Sequence, residues 1–215
     1  MNTVVSILAA VYYREKTGRG QYLDVSMMDG TVPFLSMDGA SFLAGAPAPK
    51  RESETLNGGG IYDFYKTKDG GYMSVGSLEP KFFTQLMKAV GHPEWADGKT
   101  LKDDPTGLKA ELRRIFLTKT KAEWTEHFKR YDACVEPVLT PEEVLSDPHI
   151  NERGLLPEVP LTEGGSGTVR QLGCPIRLSE CPPEYRHAGR PEGADTLEVL
   201  GQFGYTEEDL KELGE

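Results

Sequence analysis

Residues 62–90, YDFYKTKDGGYMSVGSLEPKFFTQLMKAV, contain two predicted strands and a predicted helix that decide the fold. Polar and apolar residues alternate over Tyr62–Lys66 and Tyr72–Ser77, as is typical of half-buried strands. The segment Lys68–Gly71 between them has the aspartate and glycines of a turn, so the two strands are expected to form a hairpin. The helix is predicted to begin at Pro80, since proline suits the first helical position, and to continue to the end of the stretch.

Two further helices are predicted after the hairpin, over about 106–118 and 121–130. Thr120 stands before the second of them, and Glu123 follows three residues later. This is the pattern of a capping box, in which each side chain accepts a hydrogen bond from the other residue's backbone amide. The pair therefore predicts where the second helix begins.

A buried strand is predicted over Cys134–Leu139, which is mostly apolar. Within that strand Cys134 is expected to be an inert, buried thiol. Thr140 then precedes another short helix. Together these elements predict a small α+β domain over residues 55–146.

The beginning of the chain predicts a different kind of unit. Residues 3–16 carry an apolar stripe at helical spacing, formed by Val4, Ile7, Leu8 and Val11. Gln21–Ser26 is predicted to be a short strand, and a second helix is expected from Met27 toward Leu43. A helix, a strand and a helix are the unit of layered α/β sheets, but one strand cannot make a sheet. Partner strands are therefore expected outside this stretch.

The last part of the chain is rich in proline and glycine from 155 to 192, with a strand-like piece predicted at 168–172 only. Two helices, about 195–203 and 206–213, are expected to close the chain. Thr206 is predicted to cap the second one.

Composition and charge exclude several classes of protein. The 215 residues include 34 acidic and 24 basic side chains, and the net charge of -10 disfavours nucleic acid as a partner. No apolar run approaches the roughly 20 residues of a membrane span. Cys134, Cys174 and Cys181 are too few and too irregularly spaced for a disulfide framework or a zinc site. We therefore expect a cytoplasmic protein with reduced thiols, no metal and no membrane span.

Four stretches, in order along the chain, resemble one family. They are residues 14–29 (REKTGRGQYLDVSMMD), residues 56–60 (LNGGG) with 72–83 (YMSVGSLEPKFF), residues 119–124 (KTKAEW) with 132–139 (DACVEPVL), and residues 147–154 (DPHINERG). The first is similar to the large domain of family III CoA-transferases, and the other three resemble the 2-methylacyl-CoA racemase branch of that family. One such motif is a weak signal, whereas four at plausible spacing are a strong one.

The resemblance implies a fold and a division of the chain. The fold is α/β with α+β, in which two subunits interlock like chain links and each has a Rossmann-like large domain, a linker and a small domain. This chain then resembles the C-terminal part: the end of the large domain at 1–44, the linker at 45–54, the small α+β domain at 55–146 and a return segment with two short helices at 147–215. Most of the large domain, including the acid/base histidine and aspartate of the racemases, is expected to precede Met1.

Glu79 is the catalytic candidate that the resemblance implies. Racemising a 2-methylacyl thioester requires one group to remove the α-proton and another to return a proton to the opposite face, with donors near the thioester oxygen. In the family the matching glutamate lies beside the catalytic histidine, where a carboxylate favours the protonated imidazole and fixes its orientation. The alternative is that Glu79 is a first-turn helix acid stabilised by the helix dipole.

Eight further residues match substrate-binding positions of the racemase branch. A glycine segment lets the backbone approach a thioester closely because glycine has no Cβ, although an ordinary loop has the same composition. Methionine suits a surface that accepts varied acyl groups, with core packing as the alternative for the apolar members. The eight are Met27, Leu56, Asn57, Gly58, Gly59, Gly60, Tyr62 and Leu78. The substrate is then an acyl-CoA, and no cofactor is expected beyond the coenzyme A that the substrate carries.

The remaining charged and titratable candidates are weaker. Arg14, Lys16 and Arg19 are candidates for phosphate contacts, with solvated charge near a helix end as the alternative. No histidine has a carboxylate or cysteine at a motif spacing, so no catalytic or metal-binding role is assigned to His92, His127, His149 or His187.

Three functions stay open at this point. The chain is part of a 2-methylacyl-CoA racemase, part of a CoA-transferase that works through an aspartyl-CoA thioester, or a non-catalytic oligomerisation unit. The wording Ser77-Leu78-Glu79-Pro80 favours the racemase. For either enzyme we expect the chain alone to be inactive. Its expected partners are an acyl-CoA and either a second copy in a homodimer or higher oligomer, or the N-terminal portion of the enzyme.

Overall fold

A computed structural model describes residues 1–56, 58–162 and 164–213 of the chain. The chain divides into two compact units, Met1–Val138 and Leu139–Glu215. Each unit has its own helices and its own antiparallel sheet. The mixed α and β class predicted from the sequence is therefore confirmed.

The first unit opens with short helices. They are α1 (Asn2–Thr17), α2 (Met27–Thr31), a 3₁₀ turn (Val32–Leu35) and α3 (Ser36–Leu43). The predicted strand over Gln21–Ser26 is wrong, because a strand needs a neighbour for its amides and carbonyls and the described residues supply none there. The single helix predicted from Met27 toward Leu43 is interrupted by the 3₁₀ turn at Pro33, which has no amide hydrogen to continue the α-helical pattern.

A three-stranded antiparallel sheet, in the order β1-β2-β3, is formed by β1 (Asp63–Lys66), β2 (Tyr72–Val75) and β3 (Val135–Pro137). The register pairs Asp63 with Val75 and Lys66 with Tyr72. The turn between these strands is closed by a hydrogen bond of 2.9 Å from the amide of Thr67 to the carbonyl of Gly71. The predicted hairpin is confirmed, with strand ends shifted by one or two residues.

Helices of the first unit lie between β2 and β3 in the chain. They are α4 (Pro80–Ala89), a 3₁₀ turn (Pro93–Trp95), α5 (Lys99–Asp103), α6 (Pro105–Phe116) and α7 (Lys121–Phe128). The capping box of Thr120 and Glu123 is confirmed, with both reciprocal hydrogen bonds present. The helices α6 and α7 match the predicted ones within two residues, whereas α5 and the 3₁₀ turn were not predicted.

The core of this unit lies between the sheet and α4, α6 and α7. Its fully buried side chains include Tyr65, Met73, Leu86, Leu112, Phe116 and Trp124. The indole nitrogen of Trp124 donates a hydrogen bond of 2.8 Å to the carbonyl of Phe116, so the one polar atom of that ring is satisfied within the core. The sheet and the three helices therefore pack against each other around one shared apolar core.

The second unit contains short elements joined by turns. They are α8 (Pro141–Ser146), α9 (Pro148–Glu152), β4 (Glu158–Pro160), β5 (Thr168–Arg170), α10 (Thr196–Gly201) and α11 (Glu207–Leu213). The cap at Thr206 is confirmed, since its hydroxyl accepts from the amide of Asp209 at 3.2 Å. The prediction of one strand only between 155 and 192 is wrong, because β4 pairs with β5 although β4 follows Pro157, ends in Pro160 and has little strand character.

The structure does not test the predicted assembly of two subunits or the predicted division of the chain. The interlocked dimer and the boundaries at 44, 54 and 146 stay predictions. Among the helices that the structure describes, none is both long enough and apolar enough to cross a lipid bilayer.

Candidate functional site

The segment Gly76–Glu79 leaves the end of β2 and is fastened to the chain just before β3. The amide of Gly76 donates to the carbonyl of Cys134 at 2.8 Å. The buried hydroxyl of Ser77 donates to the carbonyl of Ala133. The amide of Leu78 donates to the carbonyl of Gly76 at 2.8 Å, which turns the chain toward α4. These bonds fix the backbone from which Glu79 projects.

Glu79 occupies the N-cap position of α4, in extended conformation and with an exposed side chain. Its carboxylate makes no capping hydrogen bond and no ion pair with the residues that the structure describes. The pKa of the nearby Cys134 thiol is raised, first by partial removal from water and then by the negative charges of Glu79 and Asp132. Glu79 is therefore an uncommitted carboxylate at a defined place in the fold.

Leu78 directly precedes Glu79, and Tyr62 lies against Gly76 in the same turn. A Cβ built on Gly76 would lie 3.6 Å from Cε2 of Tyr62 and 3.5 Å from the carbonyl oxygen of Cys134, so the tyrosine ring covers this part of the turn. Both Tyr62 and Leu78 are exposed. The structure thus brings three of the predicted site residues together, and their contact with substrate stays a prediction.

The glycine segment that follows Leu56 takes a path that only glycine follows easily. Gly58 has a φ of +96°, in the left-handed region. A Cβ on Gly59 would lie 2.4 Å from the carbonyl oxygen of Ser53, and the Gly59 amide donates to the carbonyl of Glu54 at 2.9 Å. These glycines therefore have a structural reason beside the predicted substrate role. Leu56 is exposed beside them, Gly60 is partly buried, and Asn57 lies outside the described residues.

Met27 is placed in another part of the first unit. It is 91% exposed and lines an open cavity of about 390 Å³, whose lining also includes residues 1–3, Val25, Ser26, Gly30, Thr31 and Phe34. The described lining of this cavity contains none of the other predicted site residues. The structure therefore does not join Met27 to the Glu79 turn, and its substrate role stays a prediction.

Cys134 is the residue that the sequence interpretation placed wrongly. It was predicted to be buried in a strand, but it is exposed, precedes β3 and has a φ of +49°. Its neighbours Ala133 and Val135 are both buried. With its φ in the left-handed region, Cys134 is not part of the extended strand, and its side chain faces water while the residues on either side pack inward.

Behind Cys134 lies a cavity of about 290 Å³ lined by α7, β3 and the residues between them. Its lining includes Tyr131, Asp132 and Glu136, none of which was predicted as a site residue. Among the described residues Glu79 does not line it. This cavity is therefore adjacent to the Glu79 turn without including the predicted carboxylate.

Some of the basic candidates and histidines have local partners, whereas the buried Nδ1 of His187 has none among the described residues. Arg14 pairs with Glu15 at 3.0 Å, and Lys16 lies 5.4 Å from the ring centre of Tyr12. The His92 and His127 rings bond to the Glu94 carboxylate and the Ala89 carbonyl, each at 2.8 Å. Within the described ranges, no three His, Cys, Asp or Glu side chains are grouped to hold a metal ion. The phosphate role of the basic residues stays a prediction.

The fold is shared with a solved structure, a CAIB/BAIF family protein from Brucella suis. The TM-score is 0.69 at 22% sequence identity, over 93% of this chain and 52% of that chain. The described architecture is therefore that of CaiB/BaiF-type proteins. The model of CoA-transferase family III matches residues 1–196, and the chain belongs to that family.

The relatives with known names include both racemases and CoA-transferases. The alpha-methylacyl-CoA racemase of Mus musculus is 35% identical over 215 residues, which is 97% of this chain and 54% of the relative. The formyl-CoA:oxalate CoA-transferase of Escherichia coli is 26% identical over 240 residues, covering 98% of this chain and 56% of the relative. The family prediction made from four motifs is confirmed. The chain spans about half the length of these relatives.

Proposed function

We propose that this chain is part of a 2-methylacyl-CoA racemase or epimerase. The observation that carries the proposal is the exposed Glu79 carboxylate, which has no ion pair among the described residues and lies at a turn shared with Tyr62 and Leu78. The mouse racemase is 35% identical to this chain, against 26% for the Escherichia coli transferase, which favours the racemase.

In the proposed reaction the α-carbon of the thioester loses one proton and then receives one on its opposite face. A base takes the α-proton of the thioester, the electrons of the C–H bond form the carbon–carbon double bond of an enolate, and the carbonyl electron pair moves to oxygen. An acid on the opposite face then returns a proton to the α-carbon, and the carbonyl is restored. The two stereoisomers interconvert without net gain or loss of atoms.

Glu79 acts on this reaction through another group. A free carboxylate beside an imidazole raises the pKa of that imidazole and fixes its orientation. The imidazole and the second acid/base group, an aspartate, come from outside these 215 residues, so the chain alone is inactive. Glu79 is therefore a positioning residue in this proposal, and the glycine segment, Leu56, Tyr62, Leu78 and Met27 contact the acyl-CoA.

The proposed partner is a second copy of the chain, or the N-terminal portion of the enzyme, in the cytoplasm. Support comes from the apolar stripe of α1, in which Val4, Ile7, Leu8 and Val11 are all exposed. Contiguous apolar surface of this kind favours association. Light scattering of the purified chain is expected to give a mass above that of a monomer, and a stable monomer would contradict the assembly.

The test of the activity is a chimera in which this chain replaces the matched part of the mouse racemase. The chimera is expected to exchange the α-proton of a 2-methylacyl-CoA for deuterium in heavy water, as followed by mass spectrometry. The chain alone is expected to show no exchange above the uncatalysed rate. Robust exchange by the chain alone would contradict the claim that the acid/base pair lies elsewhere.

The second candidate is a CoA-transferase, favoured by the 26% identity with the Escherichia coli enzyme over almost the whole chain. A transferase would pass CoA from the acyl-CoA to an added free carboxylic acid through an aspartyl-CoA thioester. The same chimera, supplied with a second carboxylic acid, separates the candidates: a new CoA thioester without α-deuterium supports the transferase. If the chimera forms neither an α-deuterated thioester nor a new CoA thioester, that result favours a non-catalytic oligomerisation unit.

A further inference from the structure

Helix α6 presents a lysine to the interior of the first unit. Lys109 is only 8% exposed, and it lies on the helix between the buried residues Leu108 and Leu112. A buried ammonium is costly unless its charge and its hydrogen atoms meet partners. The partners of Lys109 therefore show which parts of the chain this side chain holds together.

Two acceptors meet the Lys109 ammonium. Its Nζ lies 2.7 Å from Oδ2 of Asp63, the first residue of β1. The same Nζ donates a hydrogen bond to the carbonyl of Gly58 in the glycine segment. One ammonium thus joins α6 to the start of the sheet and to the glycine segment, which lie 46 and 51 positions before it in the chain.

Arg113, one turn further along α6, provides a natural comparison. Its Nη2 lies 3.2 Å from the same Asp63 oxygen, and its side chain is 55% exposed. Arg113 shares the Asp63 carboxylate with Lys109, but it donates to that carboxylate, whereas the Gly58 carbonyl accepts from Lys109. Substituting Arg113 therefore tests the ion pair with Asp63 alone, whereas substituting Lys109 also removes the hydrogen bond to the glycine segment.

We propose that Lys109 is a positioning residue that holds Gly58–Gly60 in the conformation that receives the thioester end of an acyl-CoA. The proposal rests on the proposed function for its substrate. A segment held in place before binding loses less conformational freedom when the ligand arrives, so its contacts contribute more to affinity. Lys109 acts through the backbone of the segment and does not touch the reacting atoms.

The first test measures the segment itself in the full chain. Lys109→Met removes the charge and the donors at similar length, and Arg113→Met removes the other cation on Asp63. Hydrogen–deuterium exchange of the Gly59 amide is expected to become faster by about tenfold in Lys109→Met, as the loss of a charge-assisted hydrogen bond implies, and to stay unchanged in Arg113→Met. Unchanged exchange in Lys109→Met, or equal acceleration in both variants, overturns the inference.

Folding of the variants is checked by circular dichroism and cooperative urea unfolding. Should Lys109→Met fail to fold, Lys109→Gln takes its place. The glutamine side chain keeps an N–H donor but is one atom shorter and uncharged, so it cannot serve both acceptors. The same acceleration at Gly59, smaller in size, is expected, and its absence overturns the inference equally.

The second test uses the racemase chimera and separates binding from chemistry. Lys109→Met is expected to raise KM for the 2-methylacyl-CoA by about tenfold while kcat stays within about threefold, the signature of lost uniform binding, and Arg113→Met is expected to change neither. A lower kcat at unchanged KM overturns the positioning role. If the wild-type chimera does not exchange the α-proton, the proposed function and the substrate role of the glycine segment are both wrong. If hydrogen–deuterium exchange of the Gly59 amide is unchanged in Lys109→Met, only the inference about Lys109 is wrong.

Discussion

Cys134 and Glu79 are electrostatic neighbours across the turn that joins β2 to α4. The pKa of the Cys134 thiol is raised by partial removal from water and, in second place, by the carboxylate of Glu79. The two residues are 55 positions apart in the sequence, and the hydrogen bonds of Gly76 and Ser77 to the chain around Cys134 bring them together. The thiol is therefore a built-in reporter of the charge at Glu79.

The thiol is expected to react slowly and to speed up when that charge is removed. The thiolate is the reactive form, so a raised pKa lowers the rate at neutral pH. Glu79→Gln lowers the thiol pKa and is expected to increase the rate of Cys134 alkylation by iodoacetamide about two- to threefold. Peptide mass spectrometry over a pH series measures the rate, with Cys174 and Cys181 as internal references in the same digest. An unchanged Cys134 profile in the variant would contradict the proximity.

Glu79 is also expected to matter for catalysis more than for stability. In the racemase chimera, Glu79→Gln is expected to lower α-deuterium exchange at least about tenfold, because an imidazole without its carboxylate is a poorer and less well-oriented acid/base group. Its free energy of unfolding is expected to change by less than about 0.5 kcal/mol, since the side chain is exposed and unpaired among the described residues. Urea unfolding checks the second expectation.

The matched control for Glu79 is Glu142→Gln. Glu142 is an exposed carboxylate in the first turn of α8, where the helix dipole stabilises negative charge. If Glu79 is merely a helix-end acid, the two variants lose similar stability and leave exchange intact. That outcome would reject the role assigned to Glu79.

The lowered pKa of Asp63 predicts that the free energy of unfolding depends on pH. Burial acts to raise the pKa of its carboxyl, but hydrogen bonds from Lys109, the Phe64 amide and Arg113, with the Lys109 charge, leave the pKa lowered overall. A carboxyl whose pKa is lower in the folded state stabilises the fold above its unfolded pKa of about 3.9, and this stabilisation is lost as pH falls through the folded pKa.

Asp63→Asn is accordingly expected to lower the free energy of unfolding by about 1–3 kcal/mol at pH 7. At pH 3 and below, the difference from the wild type is expected to shrink, because Asp63 of the wild type is then increasingly protonated and loses the charge that the asparagine variant lacks at every pH. Urea titrations at the two pH values measure the effect. Asp103→Asn, at an exposed carboxylate, serves as control, and a pH-independent difference for Asp63→Asn would speak against the charged contacts of Asp63.

Local signals explain what could be predicted from the sequence. The cap at Thr120 and the turn before Gly71 depend on residues within four positions of each other, and both are present in the structure. The closeness of Tyr62 to Gly76 follows from the hairpin register, in which Asp63 faces Val75. These features need no knowledge of distant contacts.

Distant contacts explain the failures. Gln21–Ser26 has strand composition, but its sequence cannot say whether a neighbouring strand is present. β4 becomes a strand because β5 pairs with it, not because of its own residues. The sequence around Lys109 indicates an ordinary exposed helix lysine. Only the fold brings Asp63 and Gly58, 46 and 51 positions away, into contact with it. The placement of Tyr62 and Leu78 beside the turn could be predicted because it is local to the hairpin, whereas the bond from Lys109 to the glycine segment could not.

Ser77 provides the last prediction, because its hydroxyl bonds the Glu79 turn to the segment just before β3. Ser77 is fully buried and donates to the carbonyl of Ala133. Ser77→Ala takes away that donor and is expected to lower the free energy of unfolding by about 1–3 kcal/mol. Ser74→Ala, at a partly exposed position in β2 three residues earlier, is expected to cost less than about 0.5 kcal/mol. The loosened turn should also let Cys134 react faster with iodoacetamide although no charge has changed. Equal stabilities of the two alanine variants in urea would show that the bond does not hold the turn.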